Sequence, residues 1–221
     1  EKLRKYYPFH PSFIDLLTER IAAIPGFQKT RGILRLMAAV VAAIEGNEKI
    51  TGMIMPGDVD LADDSVLNEL LREEYGVYRA IVENDIAARD GSARAQRILR
   101  KRPMATRVAT VVFLNSFTLA GRDLAEVSPT SGEVALQVVR PGENPHEVDD
   151  TLRDLLSPEA GLFFIQEADG RYFFTPVPNI NRLIEREEVK ITDATAEECI
   201  RDQIESKFAG RTPRPVFSWK E

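Results

Sequence analysis

Apolar residues recur at helical spacing along most of the chain, which predicts a mainly α protein. In residues 10–24 one helical face is apolar and is formed by Phe13, Leu16, Leu17, Ile21 and Ile24. Pro25-Gly26 is expected to end this helix. A second helix is expected to start with Thr30 as its N-cap and to reach Gly46. Because it is apolar on most sides after Arg35, we expect this helix to be central in a helical bundle.

The pattern changes after this helix and then becomes helical again. Residues 49–61 are expected to form an extended connector with a turn at Pro56-Gly57. Apolar residues at helical spacing then predict two or three helices between Asp63 and Lys101. Residues 1–101 are therefore predicted to form one helical bundle.

A different order of elements begins at Pro103. Helices are predicted over residues 106–119, 131–139 and 145–156, and Asn144 is expected to cap the last of them. Two short strands are predicted next, over residues 162–165 and 172–174. They flank Asp169-Gly170, and Asp-Gly between aromatic runs is a strong hairpin signal. Three helices followed by a β-hairpin are the order of a winged helix-turn-helix domain.

The pattern divides the chain into three predicted parts. The first is the helical bundle over 1–101, and the second is the winged-helix domain over 102–178. The third, over 179–221, is expected to contain helices at 179–190 and 195–208. An extended tail follows them, because prolines recur in it.

Composition indicates an ordinary soluble globular chain, with 221 residues, 43% hydrophobic and 29% charged. The longest apolar run, residues 36–44, is about nine residues and far short of a membrane span. We therefore expect a cytoplasmic protein with no membrane partner. The single cysteine, Cys199, excludes an internal disulfide, and we expect it to act as a small hydrophobe. The two histidines lie far apart in the sequence, so we expect no histidine-based metal site.

Charge is unevenly distributed along the chain. The net charge of −6 argues against a protein that coats nucleic acid by bulk electrostatics. Residues 1–35 nevertheless contain seven basic and three acidic residues, a net charge of +4. The amino-terminal end is therefore the part suited to an anionic ligand.

The opening of the chain contains the most specific motif. Tyr7-Pro8-Phe9-His10-Pro11 is followed by Thr30-Arg31-Gly32-Ile33-Leu34-Arg35. The second segment resembles the sensor-2 region of AAA+ ATPases, in which a Gly-x-x-Arg at the start of a lid helix directs a guanidinium at nucleotide phosphates. Arg35 fits that position best and Arg31 is the second candidate, while Gly32 would permit close approach of the ligand or a neighbouring domain. Alternatively, both arginines solvate the helix start or pair with carboxylates.

Over about residues 6–185 the sequence resembles the large predicted AAA+-type ATPases of domain-of-unknown-function family 499. The two segments above carry most of this resemblance, and residues 140–145, 170–174 and 178–181 add to it. The resemblance implies an AAA+-lid-like helical bundle followed by the winged-helix domain. It also implies ATP with Mg as ligand, an amino-terminal P-loop core as partner, and a link to DNA-modification or phage-defence systems.

The chain itself contains no G-x-x-x-x-G-K-[ST] phosphate-binding loop. We therefore interpret it as a carboxy-terminal regulatory piece of a larger ATPase. On its own we expect it to be catalytically inactive, with no catalytic residues or cofactor of its own.

Two other functions remain open from the sequence. One is a non-enzymatic interaction module whose acidic winged helix docks a protein, and the weaker one is a DNA-binding regulator. Residues 143–159 contain six acidic residues and one basic residue, and Arg171 is the single cation of the wing, so we do not expect direct nucleic-acid binding. His10 is interpreted as a helix-entry packing residue. The cluster Asp58, Asp60, Asp63 and Asp64 is interpreted as a solvated loop.

Overall fold

A computed structural model describes residues 2–24, 27, 29–45, 52–71, 75–119, 124–157, 162–177, 184 and 193–208, and the statements below refer to these residues. Some predictions fall outside them. These are the helix stop at Pro25-Gly26, nearly all of the helix over 179–190, and the extended tail.

The first half of the chain contains short helices around one long helix. The α-helices are α1 (Lys2–Tyr6), α2 (Pro11–Asp15), α3 (Lys29–Ile44), α4 (Asp64–Leu70), α5 (Gly76–Ile81) and α6 (Arg94–Arg97). Single π-helical turns extend α2 over Leu16–Arg20 and α5 over Val82–Ile86. Short 3₁₀ turns lie at Ile21–Ala23 and Pro56–Asp58.

The second half combines helices with a hairpin. Its elements are α7 (Ala105–Ser116) with a 3₁₀ turn at Phe117–Leu119, α8 (Leu124–Val127), α9 (Ser131–Val138), α10 (His146–Leu156), β1 (Ile165–Ala168), β2 (Arg171–Phe174) and α11 (Asp193–Phe208). The two strands pair antiparallel. The predicted mainly α fold class, a helical bundle with a short hairpin, is confirmed.

The hairpin turn is confirmed, but its first strand begins later than the pattern predicts. Asp169 and Gly170 both have positive φ, 51° and 73°, as a tight Asp-Gly turn requires. The strand starts at Ile165 and not at residue 162. The backbone N–H groups of Phe163 and Phe164 instead donate to the carboxylate of Asp85, at 2.8 and 2.9 Å. The N–H groups of the two residues before β1 thus bind a side chain from a distant helix.

The helix at the centre of the fold is α7. Nearly all of its residues are buried, and it packs against α9, α10, β2 and the Pro56–Asp58 turn. Phe113 stacks on Phe117 with ring centroids 4.9 Å apart, and Phe174 from β2 meets Phe113 edge-on at 6.0 Å. Aromatic rings from three segments thus form the middle of the core.

The helix that was predicted to start at Thr30 is not central in the bundle, so this prediction is wrong. That helix, α3, begins at Lys29 with Thr30 inside it, and it packs mainly on α4 and the turns that extend α2. Leu36 and Val40 are buried, but Leu34 is 61% exposed and Val41 is 42% exposed. Part of the apolar surface of α3 therefore faces solvent in the described part of the chain.

One buried hydrophobic cluster extends from Phe9 to Phe174. It includes residues on both sides of the predicted domain boundary near residue 101, and this boundary stays a prediction. Among the described helices, none combines the length and apolar character needed to cross a lipid bilayer.

Candidate functional site

The predicted site residues lie in the first two turns of α3. Arg31 and Arg35 are exposed and Gly32 is buried. Residues four apart are neighbours on one helical face, so the two arginines project from the same side of α3. The structure therefore brings both sensor-2 candidates together on one accessible surface.

Gly32 makes room for an aromatic ring of the same chain. A Cβ atom built at this position would lie 2.8 Å from Cε1 and 2.9 Å from Cζ of Phe27. Phe27 is only 7% exposed, so its ring is held against the helix. The close approach that Gly32 permits here is that of Phe27, whereas its predicted contact with nucleotide stays a prediction.

Arg35 has an ionic neighbour on the adjacent helix. Its Nε lies 3.9 Å from Oε1 of Glu69 on α4, with the two side chains 53% and 27% exposed. Exposed pairs of this kind stabilise a fold by about 1 kcal/mol or less. The sequence left open that the arginines pair with carboxylates, and this interpretation applies to Arg35. Within the described part of the chain, Arg31 makes no ion pair.

An apolar stripe continues along α3 from the two arginines. The exposed side of the helix, named here the α3 outer face, consists of Arg31, Leu34, Arg35, Ala38, Val41 and Ala42. These positions repeat at intervals of three and four and therefore share one face. A contiguous exposed apolar surface beside charged groups is typical of an interaction site.

The helix that supports this face has a well-defined start. Asp63 caps α4, with its Oδ1 accepting from Ser65 N at 2.7 Å and from Val66 N at 3.2 Å. Val66 and Leu67 of α4 lie in the same buried cluster as Leu36 and Val40 of α3. The cap and the shared core hold α4, and hence Glu69, beside the start of α3.

The prediction that Asp58 belongs to a solvated loop is wrong. Its side chain is 2% exposed and forms an ion pair with Arg140. Its Oδ2 also accepts a hydrogen bond from Met55 N at 2.9 Å. The Pro56-Gly57-Asp58 order contains a signal for this, since an acidic residue at the third position of a helical turn often returns a bond to the backbone before it.

A network of charged side chains links three parts of the core. Arg107 of α7 makes a two-point contact with Glu143, at 2.7 and 3.2 Å. Glu143 also accepts from Arg140 N at 2.8 Å, and Arg140 reaches Asp58. Burial raises the pKa of Glu143, but the bonds from Arg107 and Arg140 N–H outweigh it and leave this pKa below its usual range. Residues 140–145, which add to the family resemblance, thus stabilise the fold.

The predicted acidic helix is partly neutralised within the chain. Arg102 Nε donates to Asp154 at 2.7 Å, and Lys101 Nζ lies 3.2 Å from the same carboxylate. Asp150 accepts from Arg153 at 3.0 Å. The hydrogen bond from Arg102 holds the pKa of Asp154 below its ordinary value. What remains exposed on α10 is a narrower acidic surface, at Glu147 and Asp149.

The single cation of the β1–β2 hairpin, Arg171, is already engaged. Arg171 Nη1 donates to the carbonyl of Ser128 at 2.5 Å and lies 3.6 Å from Glu133. Tyr172 N donates to the carbonyl of Pro129 at 3.0 Å, which fixes the strand beside the same loop. Arg171 therefore positions the hairpin, and its use as a phosphate contact would require breaking these bonds.

Sequence reasoning missed Asp85, a buried carboxylate. It is 0% exposed, Arg94 Nη1 lies 3.0 Å from its Oδ1, and its Oδ2 accepts from Phe163 and Phe164. Burial raises the pKa of Asp85, opposed by these N–H donors and by Arg94. Its spacing from Ile81 places it on the buried face of a helix, and an acid there is the signal that could have found it. Asp85 joins α5 to the start of the hairpin.

His10 lies at the start of α2, as the sequence indicates. Its Nδ1 accepts from Ser12 N at 3.3 Å, and its backbone N–H donates to Ile54 O at 2.8 Å. Burial lowers the pKa of His10, opposed by Asp15. Within the described ranges, no group of three or more His, Cys, Asp or Glu residues is placed to hold a metal ion. The side chain of Cys199 on α11 lies outside the described residues.

This geometry defines a class of protein. It is a mainly helical domain with a two-strand hairpin and an exposed helix face that is both basic and apolar. The chain belongs to the family described as DUF499 second domain, because the model of that family matches residues 1–174. The match covers α1 through β2. No curated protein and no solved structure matches the chain.

Proposed function

We propose that this chain is the lid and winged-helix region of an AAA+-type ATPase. In this proposal the α3 outer face contacts a P-loop core elsewhere in the full-length protein. Arg35, with Arg31 beside it, contacts the phosphates of ATP–Mg bound by that core. The observation that carries the proposal is the α3 outer face itself, which combines two cations with an unburied apolar stripe.

The chemistry of this face suits a phosphate held at a domain interface. Arginine offers a planar fork of donors that matches phosphate oxygens. Both arginines lie near the start of a 16-residue helix, where the helix dipole is positive. The apolar residues that follow would supply the buried area that joins two domains. One surface thus provides a ligand contact and a docking contact.

The arrangement of the second half supports the same proposal. Helices α7, α9 and α10 precede the β1–β2 hairpin, which is the order of a winged helix. The family description, DUF499 second domain, fits a region that acts beside another domain. A role in a DNA-modification or phage-defence system is the wider setting that we propose.

A protein-interaction module is the second candidate function. It is favoured by the exposed Glu147 and Asp149 on α10, which form an acidic surface that a basic protein could contact. Direct DNA binding has less support, because Arg171 is engaged and α10 displays acidic residues. The interaction module requires no nucleotide, and this difference separates it from the ATPase proposal.

The experiment is ATP turnover by the full-length protein. Arg35→Ala should reduce turnover by about 10²–10³-fold if Arg35 stabilises charge in the transition state. Arg31→Ala tests the second candidate, and Arg100→Ala, at an exposed arginine outside α3, is the matched control. Wild-type turnover in both α3 variants, or no ATPase activity in the wild-type protein, would refute the proposal and favour the interaction module.

A further inference from the structure

The contact between Arg35 and Glu69 is made through one edge of the guanidinium. The 3.9 Å distance joins Nε of Arg35 to Oε1 of Glu69, which is longer than a hydrogen bond and within the range of an ion pair. In the described part of the chain, the terminal nitrogens of Arg35 make no hydrogen bond. The donors that best match a phosphate thus remain available on the side away from Glu69.

Glu69 lies where a helix disfavours a negative charge. It is in the last turn of α4, which ends at Leu70, and the carboxyl end of a helix favours cations. Its side chain is only 27% exposed, although the neighbouring face of α3 is open to solvent. Helix preference does not explain an acid at this position, whereas a nearby arginine does.

Folding stability does not explain the pair either. Arg35 is 53% exposed, and an ion pair at such a site contributes little to stability because water screens it. Arg31 shares the α3 outer face without an ionic neighbour among the described residues. The neighbouring carboxylate is therefore what distinguishes Arg35 from Arg31.

We propose that Glu69 is a positioning residue for Arg35, an inference that rests on the proposed function. Glu69 restrains the Nε side of the guanidinium, which leaves the edge formed by the two terminal nitrogens to contact the phosphate of a nucleotide bound at the α3 outer face. Without Glu69 the arginine samples more orientations, and fewer of them meet the phosphate productively.

The test is a double-mutant cycle on ATP turnover by the full-length protein. Glu69→Gln removes the charge at nearly constant shape and should reduce turnover about three- to tenfold. In an Arg35→Ala background the same substitution should have no further effect, because there is no guanidinium to position. Glu69→Asp keeps the charge and should restore part of the activity. Glu83→Gln, which disrupts the exposed Arg79–Glu83 pair, is the matched control.

The outcomes separate this inference from the proposed function. If Arg35→Ala leaves turnover unchanged, the inference fails, and the proposed function fails with it if Arg31→Ala also leaves turnover unchanged. If Arg35→Ala reduces turnover but Glu69→Gln does not, only the inference fails. Equal losses from Glu69→Gln in both backgrounds would show a structural role and overturn it. Faster turnover in Glu69→Gln would show that Glu69 competes with phosphate, which also overturns it.

Discussion

Two helices of similar apolar content, α7 and α3, have opposite roles in the fold. In α7 the large side chains, such as Phe113 and Leu114, are 0% and 1% exposed and are surrounded by other elements. In α3 the outer side carries Leu34 and Val41 in solvent. Packing among the described residues explains the apolar residues of α7 but not those of the α3 outer face, and that difference makes this face the candidate site.

The largest effect should come from breaking the core of α7. Phe113→Ala removes a ring that contacts Phe117 and Phe174, and we expect it to lower the free energy of unfolding by about 3–5 kcal/mol. Urea denaturation measures the change. Leu34→Ala on the α3 outer face is the control and should stay within about 0.5 kcal/mol. Similar losses of unfolding free energy in both variants would mean that α7 and the α3 outer face do not differ in how much they contribute to the core.

A second contrast lies between the buried and exposed ion pairs. Asp85→Ala removes the buried carboxylate that pairs with Arg94 and accepts from two backbone N–H groups, so we expect a loss of about 3 kcal/mol in unfolding free energy. Glu83→Ala, two residues earlier and exposed, should change it by less than about 0.5 kcal/mol. Equal denaturation midpoints for the two variants would show that Asp85 does not stabilise the contact between α5 and the start of the hairpin.

The local features of the fold were the most predictable from the sequence. The Asp169-Gly170 turn and the short helix α9 follow from residues adjacent in the chain, and both lie where they were predicted. Asn144 Oδ1 accepts from His146 N at 3.1 Å at the start of α10, close to the cap that the pattern indicates. Capping and turn preferences depend on residues that are close in the chain, so they can be predicted from a single sequence.

Long-range features were the ones that could not be predicted. Asp58 pairs with Arg140, and Asp85 binds Phe163 and Phe164, across large separations in the chain. The sequence pattern likewise could not distinguish the central helix from an outer one, because apolar spacing does not reveal how many neighbours a helix has. The positions of Arg31, Gly32 and Arg35 follow from the helix, whereas their roles with nucleotide stay predictions.

A smaller effect should follow from adding a methyl group at Gly32. Alanine favours a helix by about 1 kcal/mol over glycine, but its Cβ would meet the Phe27 ring at 2.8 Å. We expect Gly32→Ala to destabilise the protein by about 1 kcal/mol. In a Phe27→Ala background the same change should stabilise it. Stabilisation by Gly32→Ala in the wild-type background would show that the ring does not need this space.

The smallest effect concerns acid and the Arg102–Asp154 pair. Because the pKa of Asp154 is lowered by the bond from Arg102, its contribution is present above the unfolded pKa of about 3.9 and is lost as pH falls through the folded pKa. The unfolding free energies of wild type and Asp154→Asn should therefore converge as pH falls from about 5 through the folded pKa. Asp149→Asn, at an exposed residue, is the control. A constant difference over this range would contradict the assignment.

The most direct test of the central claim is whether the α3 outer face is covered in the full-length protein. Hydroxyl-radical footprinting of Leu34 and Val41, which are 61% and 42% exposed here, measures their solvent access. We expect both residues to be oxidised several-fold less in the full-length protein with ATP–Mg than in this chain alone, with Val77 (62% exposed on α5) as the reference. Equal oxidation of Leu34 and Val41 in the two proteins would contradict the claim.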